Sequence, residues 1–418
     1  MQRVRAALDL RPGEAPAVAW AALMFFAVLA SYFVLRPVRD ALVLDGDMAF
    51  IPALFTATFV VMIAIAPLWG GLVARLPRER FVPIVYRCFL INLLAFYLLV
   101  RAEVAPAVIG RVFYVWVSVF NLFVVSVFWS LCADVARTEQ GRRLFGPIAA
   151  GGTVGALVGP LATRFLVGHV GVAGMLLVSA ALLEASVWAA HGLDRAARRL
   201  GPQAAAPATR PIGGAPLAGL REVVRSPFLA AIAAYVVCAA CLATFVYLEQ
   251  AEVAKHALRD RDARTAYFAN VELWTGVATL ALQVLFTARL LRWLGAGAVL
   301  AILPVVQGAG AIALTVAPSL VMAATVAAST RAVTHAFNRP ARELLFTAVA
   351  REDKYKAKNV IDTLVYRFGD FASSWLHRGM SLAGVAIAPV AVPLAAVWLA
   401  VTVAIGAMFR RRTEPAPP

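Results

Sequence analysis

Two arginines and an aspartate flank a proline near the end of a long apolar stretch, as Arg36, Pro37, Arg39 and Asp40. Proline removes one backbone hydrogen bond from a helix and frees a carbonyl, so this segment can present polar backbone to a cavity. Arg36 and Arg39 lie on neighbouring helix faces, and Asp40 is spaced to hold the guanidinium of Arg36. Because guanidinium groups match phosphate and carboxylate oxygens, the pattern predicts an anion clamp. The alternative is an internal salt bridge at the surface of the apolar layer.

Other charged residues also fall in apolar segments, where each costs roughly 2.5–3.5 kcal/mol on insertion scales and therefore needs an explanation. The residues predicted to bind an anion together with the two arginines are Arg331, Lys356, Lys358 and Arg367. The predicted coupling groups or charge partners are Asp40, Glu272, Asp362 and Asp370. Asp370 follows Arg367 by three residues, so a structural pair is an equal alternative there. A buried carboxylate can take up a proton, whereas exchange needs no titrating acid, so both kinds of coupling stay open.

The elements that carry these charges are predicted to be membrane helices. Of the 418 residues 62% are hydrophobic, and the mean hydropathy of +0.79 exceeds that of soluble domains. Apolar runs near twenty residues predict an all-α membrane protein with twelve transmembrane helices. The predicted spans are 16–42, 50–74, 81–100, 105–132, 146–167, 171–191, 228–250, 266–288, 294–316, 319–338, 360–384 and 387–408.

The sequence also repeats itself at an offset of 214 residues, by subtraction of matching positions. The matching pairs are 135–137 with 349–351, 74–78 with 288–292, and Gly155 with Gly369. A repeat in the same direction predicts two parallel six-helix bundles. The predicted domains are an N-terminal six-helix bundle at 1–191, a basic cytoplasmic linker at 192–227 and a C-terminal six-helix bundle at 228–418.

The net charge of +16 comes from 35 arginines and 4 lysines, most of them in short loops between apolar runs. We interpret this as the positive-inside orientation of a membrane protein and expect no nucleic-acid partner. With an even number of spans, 26 basic residues lie on the side of both termini and 7 on the other. Both termini are therefore predicted in the cytoplasm, in a bacterial inner membrane. The expected partners are the lipid bilayer and an anionic small molecule, with the chain acting as a monomer.

Three classes of function are compatible with these residues. The leading prediction is a permease that moves an anionic small molecule, a nucleotide or organic phosphate, by alternating access with exchange or proton coupling. The alternatives are an exporter or flippase of an amphipathic substrate, and a non-transporting receptor or scaffold. An enzyme is not expected, because the histidines are scattered and no nucleophile–base pair or metal cluster occurs in the sequence. No cofactor or metal is expected.

Two stretches resemble the major facilitator superfamily. The basic loop at 71–80 is similar to that superfamily's loop after its second span, although the usual acidic residue is missing. Gly146, Gly155 and Gly159-Pro160 are similar to its antiporter motif in span five, although Thr163-Arg164 replace the final glycines. Gly151 lies on the same stripe, and small residues four apart also allow two helices to touch backbone to backbone.

A closer resemblance is to the ATP:ADP antiporter family of plastids and intracellular bacteria. Residues 32–43 resemble its first-span motif Tyr-x-x-Leu-Arg-x-x-Lys-Asp-x-Leu-Val, 128–151 its segment after span four, and 354–362 its Lys-x-Lys-x-Lys-x-x-Ile-Asp block. By position, the resemblance implies that Arg39 and either Lys356 or Lys358 take part in nucleotide transport. It implies a related permease with an altered acidic half, because Ser118 stands near the family's glutamate site.

Overall fold

The computed structural model describes residues 14–73, 78–135, 138–198, 218–349, 357–358 and 360–413, and every regular element among them is helical. The first helices are α1 (Glu14–Val43), α2 (Ile51–Val73), α3 (Arg78–Arg101), α4 (Pro106–Val135) and α5 (Thr138–Arg198). They are followed by α6 (Ala218–Arg225), α7 (Pro227–Ala257), α8 (Arg261–Leu282), α9 (Ala288–Leu300) and α10 (Ile302–Val316). The last are α11 (Leu320–Val333), α12 (Arg339–Leu345), α13 (Tyr366–Leu382) and α14 (Ala388–Thr413). Single π-helical turns occupy Gln283–Thr287, Thr334–Asn338 and Ile361–Val365.

Eight helical stretches among the described residues are long and apolar enough to cross a membrane. They are Glu14–Val43, Met48–Ile65, Val82–Arg101, Pro106–Trp129, Leu144–Ala196, Pro227–Ala257, Arg261–Leu300 and Ala388–Arg412. The fifth is 53 residues long, which is roughly 80 Å of helix against a bilayer core of about 30 Å. It is broken at Gly171, where φ is 67°, a left-handed conformation that favours glycine.

Three predicted spans have no stretch of their own among these eight. Most of 294–316 corresponds to α10, which has 15 residues. The other two are 319–338 and 360–384. The helices found there, α11 and α13, have 14 and 17 residues, and each adjoins a π-helical turn. Another break, at Gly295 with φ of 74°, lies beside the predicted start of the ninth span at 294. The number of twelve spans and the predicted domain boundaries stay predictions. Of the predicted linker at 192–227, residues 199–217 lie outside the described residues.

The chain divides into two compact units. The first unit comprises Met1–Asp47, Val60–Pro211 and Leu258–Leu273, and the second comprises Met48–Phe59, Ile212–Ala257 and Trp274–Pro418. Each has a hydrophobic core of its own.

In the first unit α1 packs along α5, and the glycine stripe of α5 allows this close approach. A Cβ at Gly151 would overlap the carbonyl oxygen of Ala22, and one at Gly155 would overlap that of Phe26. The packing function expected of this stripe is therefore confirmed at these glycines. Gly146 differs, because a Cβ there would meet nothing within 4 Å. The contact between α1 and α5 fixes the polar end of α1.

In the second unit α7 corresponds to α1 of the first unit and packs against α13. A Cβ at Gly369 of α13 would lie 2.8 Å from the Cβ of Ala240 on α7. Gly369 and Ala240 stand 214 residues after Gly155 and Phe26, by subtraction. The same pair of positions thus makes the close helix contact inside each unit.

Candidate functional site

The end of α1 carries the arginine motif, and the helix runs through Pro37 without interruption to Val43. Pro37 has no N–H to donate to Phe33, so that turn of the helix lacks one backbone hydrogen bond. Asp40 is almost fully buried and Arg36 partly buried. Charged groups are therefore held inside the first unit, beside apolar packing on the other faces of α1.

Arg36 is held by a carboxylate from α8. Its Nη1 donates to Oε2 of Glu272 at 2.9 Å, and the side chain of Glu272 is only 2% exposed. The guanidinium lies 5.5 Å from the ring centre of Phe33, within the range of cation–π attraction. Its Nε is buried and has no hydrogen-bond partner among the described residues. One donor of a buried guanidinium is thus available to an acceptor that the described residues do not supply.

Arg39 has a different partner. Its Nε and Nη2 both donate to Oδ1 of Asp40, at 2.9 and 2.6 Å, and its guanidinium lies 4.8 Å from the ring centre of Tyr114. The sequence predicted that Asp40 holds Arg36, and this pairing is wrong. The structure pairs Asp40 with the adjacent Arg39, while Glu272 takes Arg36.

In the second unit Arg331 contacts an amide that sequence reasoning missed. Its Nη2 lies 3.4 Å from Oε1 of Gln250 on α7, a side chain with no exposed surface. A guanidinium can only donate, so the amide oxygen must face Arg331, and Nε2 must point elsewhere. Among the described residues Nε2 has no partner. Gln250 stands 214 residues after Arg36, by subtraction, so the sequence repeat could have identified it.

The other predicted residues of the second unit form separate ion pairs. Arg367 Nη1 lies 3.3 Å from Oδ2 of Asp370, which is the structural pair given as an alternative. Asp370 also accepts a hydrogen bond from Thr244 at 3.2 Å. The hydrogen bond from Thr244 joins α7 to α13, next to the close contact at Gly369.

The second half of the late basic block also forms local ion pairs. Asp362 lies 2.8 Å from Nη2 of Arg342, and Lys358 lies 2.6 Å from Oε2 of Glu343. Arg342 did not figure among the predicted site residues. Lys356 lies outside the described residues. Lys358 and Asp362 therefore each have an oppositely charged partner.

A further set of charges follows the end of α1 in the first unit. Arg261 contacts Glu103 through Nη1 at 2.5 Å and Asp45 through Nε at 2.7 Å, while Arg264 lies 3.3 Å from Asp45. Burial raises the pKa of Asp45, although both arginines oppose this effect. The hydrogen bond from Arg261 lowers the pKa of Glu103. This network ties the start of α8, and therefore the element carrying Glu272, to the end of α1.

No group of three or more potential metal ligands occurs among the described residues. The described residues instead offer the guanidinium of Arg36, whose Nε has no described partner, and the buried amide of Gln250. Such groups bind oxygen-rich anions and hydrogen-bonding ligands.

The chain resembles a known carrier protein in sequence. No protein-family model matches the chain. ADP,ATP carrier protein 1 of Chlamydia trachomatis serovar D is 22% identical over 309 residues, which are 64% of this chain. The match spans 58% of the length of that relative. The predicted resemblance to the ATP:ADP antiporter family is thus confirmed.

Solved structures of similar fold are also transporters. The nucleoside transporter NupG has a TM-score of 0.65 at 14% identity, over 96% of this chain and 100% of its own. A POT family transporter in complex with 5-aminolevulinic acid has a TM-score of 0.65 at 11% identity, over 94% of this chain and 96% of its own. The chain therefore has the fold of major-facilitator-type membrane transporters. Its relatives and structural neighbours are transporters and not enzymes.

Proposed function

We propose that this protein is a permease that moves an anionic small molecule, a nucleotide or an organic phosphate, by alternating access. The observation that carries the proposal is the guanidinium of Arg36. It is held on one side by Glu272 and lies over Phe33, and its buried Nε has no partner among the described residues. A buried donor left without a partner costs about 1–3 kcal/mol, and an anionic oxygen would remove that cost.

The second unit offers groups of matching chemistry. Arg331 and the unpaired Nε2 of Gln250 both donate hydrogen bonds, so each can bind a phosphate oxygen or a carbonyl. Gln250 and Arg36 are related by the 214-residue offset. We propose that each of them takes part in substrate binding within its own unit. Arg39, Lys356 or Lys358, and Arg367 complete the proposed set.

The proposed architecture has twelve spans in two parallel six-helix repeats, with both termini in the cytoplasm. The paired contacts of Gly155 with Phe26 and of Gly369 with Ala240 support the repeat. The breaks at Gly171 and Gly295 support two crossings in the long stretch at 144–196 and a ninth span that begins near 295. We further propose a bacterial inner membrane and a monomeric protein.

The nucleotide or organic phosphate is proposed from the first-span motif and from the relative's name, ADP,ATP carrier protein 1. A structural neighbour is named as a nucleoside transporter, and a nucleoside shares the base and the sugar of a nucleotide but not its phosphate. The proposed movement is coupled either to exchange or to protons.

A binding screen on the purified full-length protein tests the proposal. ATP, ADP, other nucleotides, organic phosphates and inorganic phosphate are tested for thermal stabilisation, which reaches about 2.7 kcal/mol at 100 times Kd. We expect a binder whose effect is lost in Arg36→Ala and in Arg39→Ala. The control is Arg164→Ala, an exposed arginine of α5. No stabilisation by any anion, or stabilisation that survives both variants, would contradict the proposed site.

A further inference from the structure

A histidine and a glutamate form a pair inside the second unit. Nε2 of His377 on α13 lies 3.1 Å from Oε1 of Glu249 on α7. Their side chains are 13% and 27% exposed, so the pair is partly buried. The imidazole also lies 5.8 Å from the ring centre of Phe245.

The pair has one position where a proton can be added. A carboxylate only accepts hydrogen bonds, so a neutral His377 beside it carries its hydrogen on Nε2. Nδ1 then keeps its lone pair, and no described residue forms a hydrogen bond with it. One proton bound at Nδ1 gives an imidazolium, whose positive charge is balanced by Glu249. The pair as a whole changes from a charge of −1 to zero, and the reverse step releases the same proton.

The carboxylates proposed from the sequence as coupling groups have partners of a different kind. Asp40, Glu272, Asp362 and Asp370 each lie against an arginine, which stays protonated in proteins. Glu249 lies instead against a histidine, the side chain whose ordinary charge change falls between pH 5 and 8. This difference singles out the pair among the charges of the predicted spans.

Other ionisable groups stand on the helices packed around the pair. They are Tyr247, Glu252, Lys255 and His256 on α7, Arg331 on α11, and Tyr366, Arg367, Asp370 and Arg378 on α13. Nearer the other ends of α7 and α14 are Tyr235, Cys238, Cys241 and Arg410 to Arg412. Helix α10 and residues 48–59 of this unit carry none.

Gln250, which Arg331 contacts, is the residue after Glu249 on α7, so the pair and the proposed anion-binding amide lie one residue apart along the same helix. A pair with a charge of −1 disfavours an anion beside it, and a neutral pair does not. Proton binding should therefore favour anion binding, and by reciprocity anion binding should favour proton binding.

We propose that Glu249 and His377 form the proton-binding site that couples anion movement to the pH gradient. This inference rests on the proposed permease function. Proton and anion then move in the same direction, and His377 loads at Nδ1 on the acidic side and releases on the other. At one proton per anion, a gradient of one pH unit supports about tenfold accumulation.

The test uses the full-length protein in liposomes, with labelled ADP and labelled inorganic phosphate as probes. Exchange is measured at equal pH on both sides, and accumulation is measured under an imposed gradient. We expect His377→Gln and Glu249→Gln to retain exchange and lose accumulation. His169→Gln, an exposed histidine of α5, is the matched control and should retain both. Accumulation by the two pair variants at the wild-type level, or exchange by the wild type with no response to the gradient, would overturn the inference.

A second measurement is needed if the variants lose both exchange and accumulation, or if the wild type transports neither probe. Failure of the wild type to transport either probe would contradict only the proposed substrates. In protein labelled with 15N-histidine, the response to pH of the signal that is absent from His377→Gln should change in Glu249→Gln. If no histidine titration depends on Glu249, the coupling inference is overturned whatever the transport result.

Discussion

Arg36 and Glu272 are 236 residues apart in the sequence, and their side chains meet at 2.9 Å in the first unit. This ion pair neutralises the charge of Arg36. An anion that binds Arg36 must therefore compete with Glu272 or use the remaining donor, Nε. Glu272 thus has a defined role in the proposed mechanism, because it sets how strongly Arg36 attracts the anion.

Glu272→Gln is expected to strengthen anion binding and to weaken the fold. The variant releases Arg36 for the substrate, but it leaves a largely buried charge without its partner, which costs on the order of 3 kcal/mol. Thermal unfolding with and without ADP measures both effects. The double variant Arg36→Gln with Glu272→Gln should recover stability and bind no ADP. Weaker ADP binding in Glu272→Gln, at unchanged folding, would contradict the competition between carboxylate and anion.

The glycines of α5 provide a matched pair of substitutions. Gly155→Ala is expected to destabilise the protein by about 1–3 kcal/mol, because the added methyl overlaps the backbone of Phe26. Gly146→Ala, on the same helix, meets no neighbour and should be neutral or stabilising by up to about 1 kcal/mol. Thermal unfolding of the two variants measures this difference in stability. Equal effects would show that the close contact between α1 and α5 does not limit stability.

Gln250 should affect substrate binding more than folding. In Gln250→Glu the new carboxylate pairs with Arg331, so anion binding should fall roughly tenfold or more, a loss of about 1.4 kcal/mol. Gln250→Leu removes a buried amide whose Nε2 has no described partner, so its stability should stay near that of the wild type. ADP-induced stabilisation measures the first effect. Wild-type ADP binding by Gln250→Glu would remove Gln250 and Arg331 from the proposed site.

The network around Arg261 gives a prediction for pH. The pKa of Glu103 is lowered by Arg261, so its stabilising contribution is present above its ordinary pKa of 4.5 and is lost as the pH falls. Glu103→Gln should therefore cost up to about 1 kcal/mol at pH 7, since the pair is largely exposed, and little near pH 3. Unfolding temperatures across this range measure the difference.

Asp45→Asn serves as the control for that series. Burial raises the pKa of Asp45, so its contribution has the opposite sign, is present below pH 3.8 and is lost as the pH rises. A difference for Glu103→Gln that does not change with pH would contradict the effect of Arg261 on this carboxylate.

The sequence predicted the helical membrane fold well, because apolar length and the 214-residue offset are local or periodic signals. It also identified Arg36 and Glu272 as members of a charged site. It did not predict that they pair, since a contact across 236 residues depends on how α1 and α8 pack. The predicted pairing of Asp40 with Arg36 was wrong because helix spacing indicates only which residues could pair. In the packed helix the side-chain conformations place Asp40 against Arg39.

Gln250 and Arg342 were missed for different reasons. A lone glutamine in an apolar helix carries no charge signal, although the repeat offset from Arg36 marks its position. Arg342 lies on α12, twenty residues before Asp362, so their contact could be found only from the tertiary structure.

Exchange in liposomes is the most direct test of the account. Liposomes containing the purified protein are loaded with ATP, and entry of labelled ADP is measured for the wild type, Arg36→Ala, Arg39→Ala and the control Arg164→Ala. We predict saturable entry for the wild type and the control, and none above empty liposomes for the two clamp variants. Entry that persists in both clamp variants would contradict the anion site at the end of α1. No entry of ADP, organic phosphate or inorganic phosphate into wild-type liposomes would contradict the proposed substrate class.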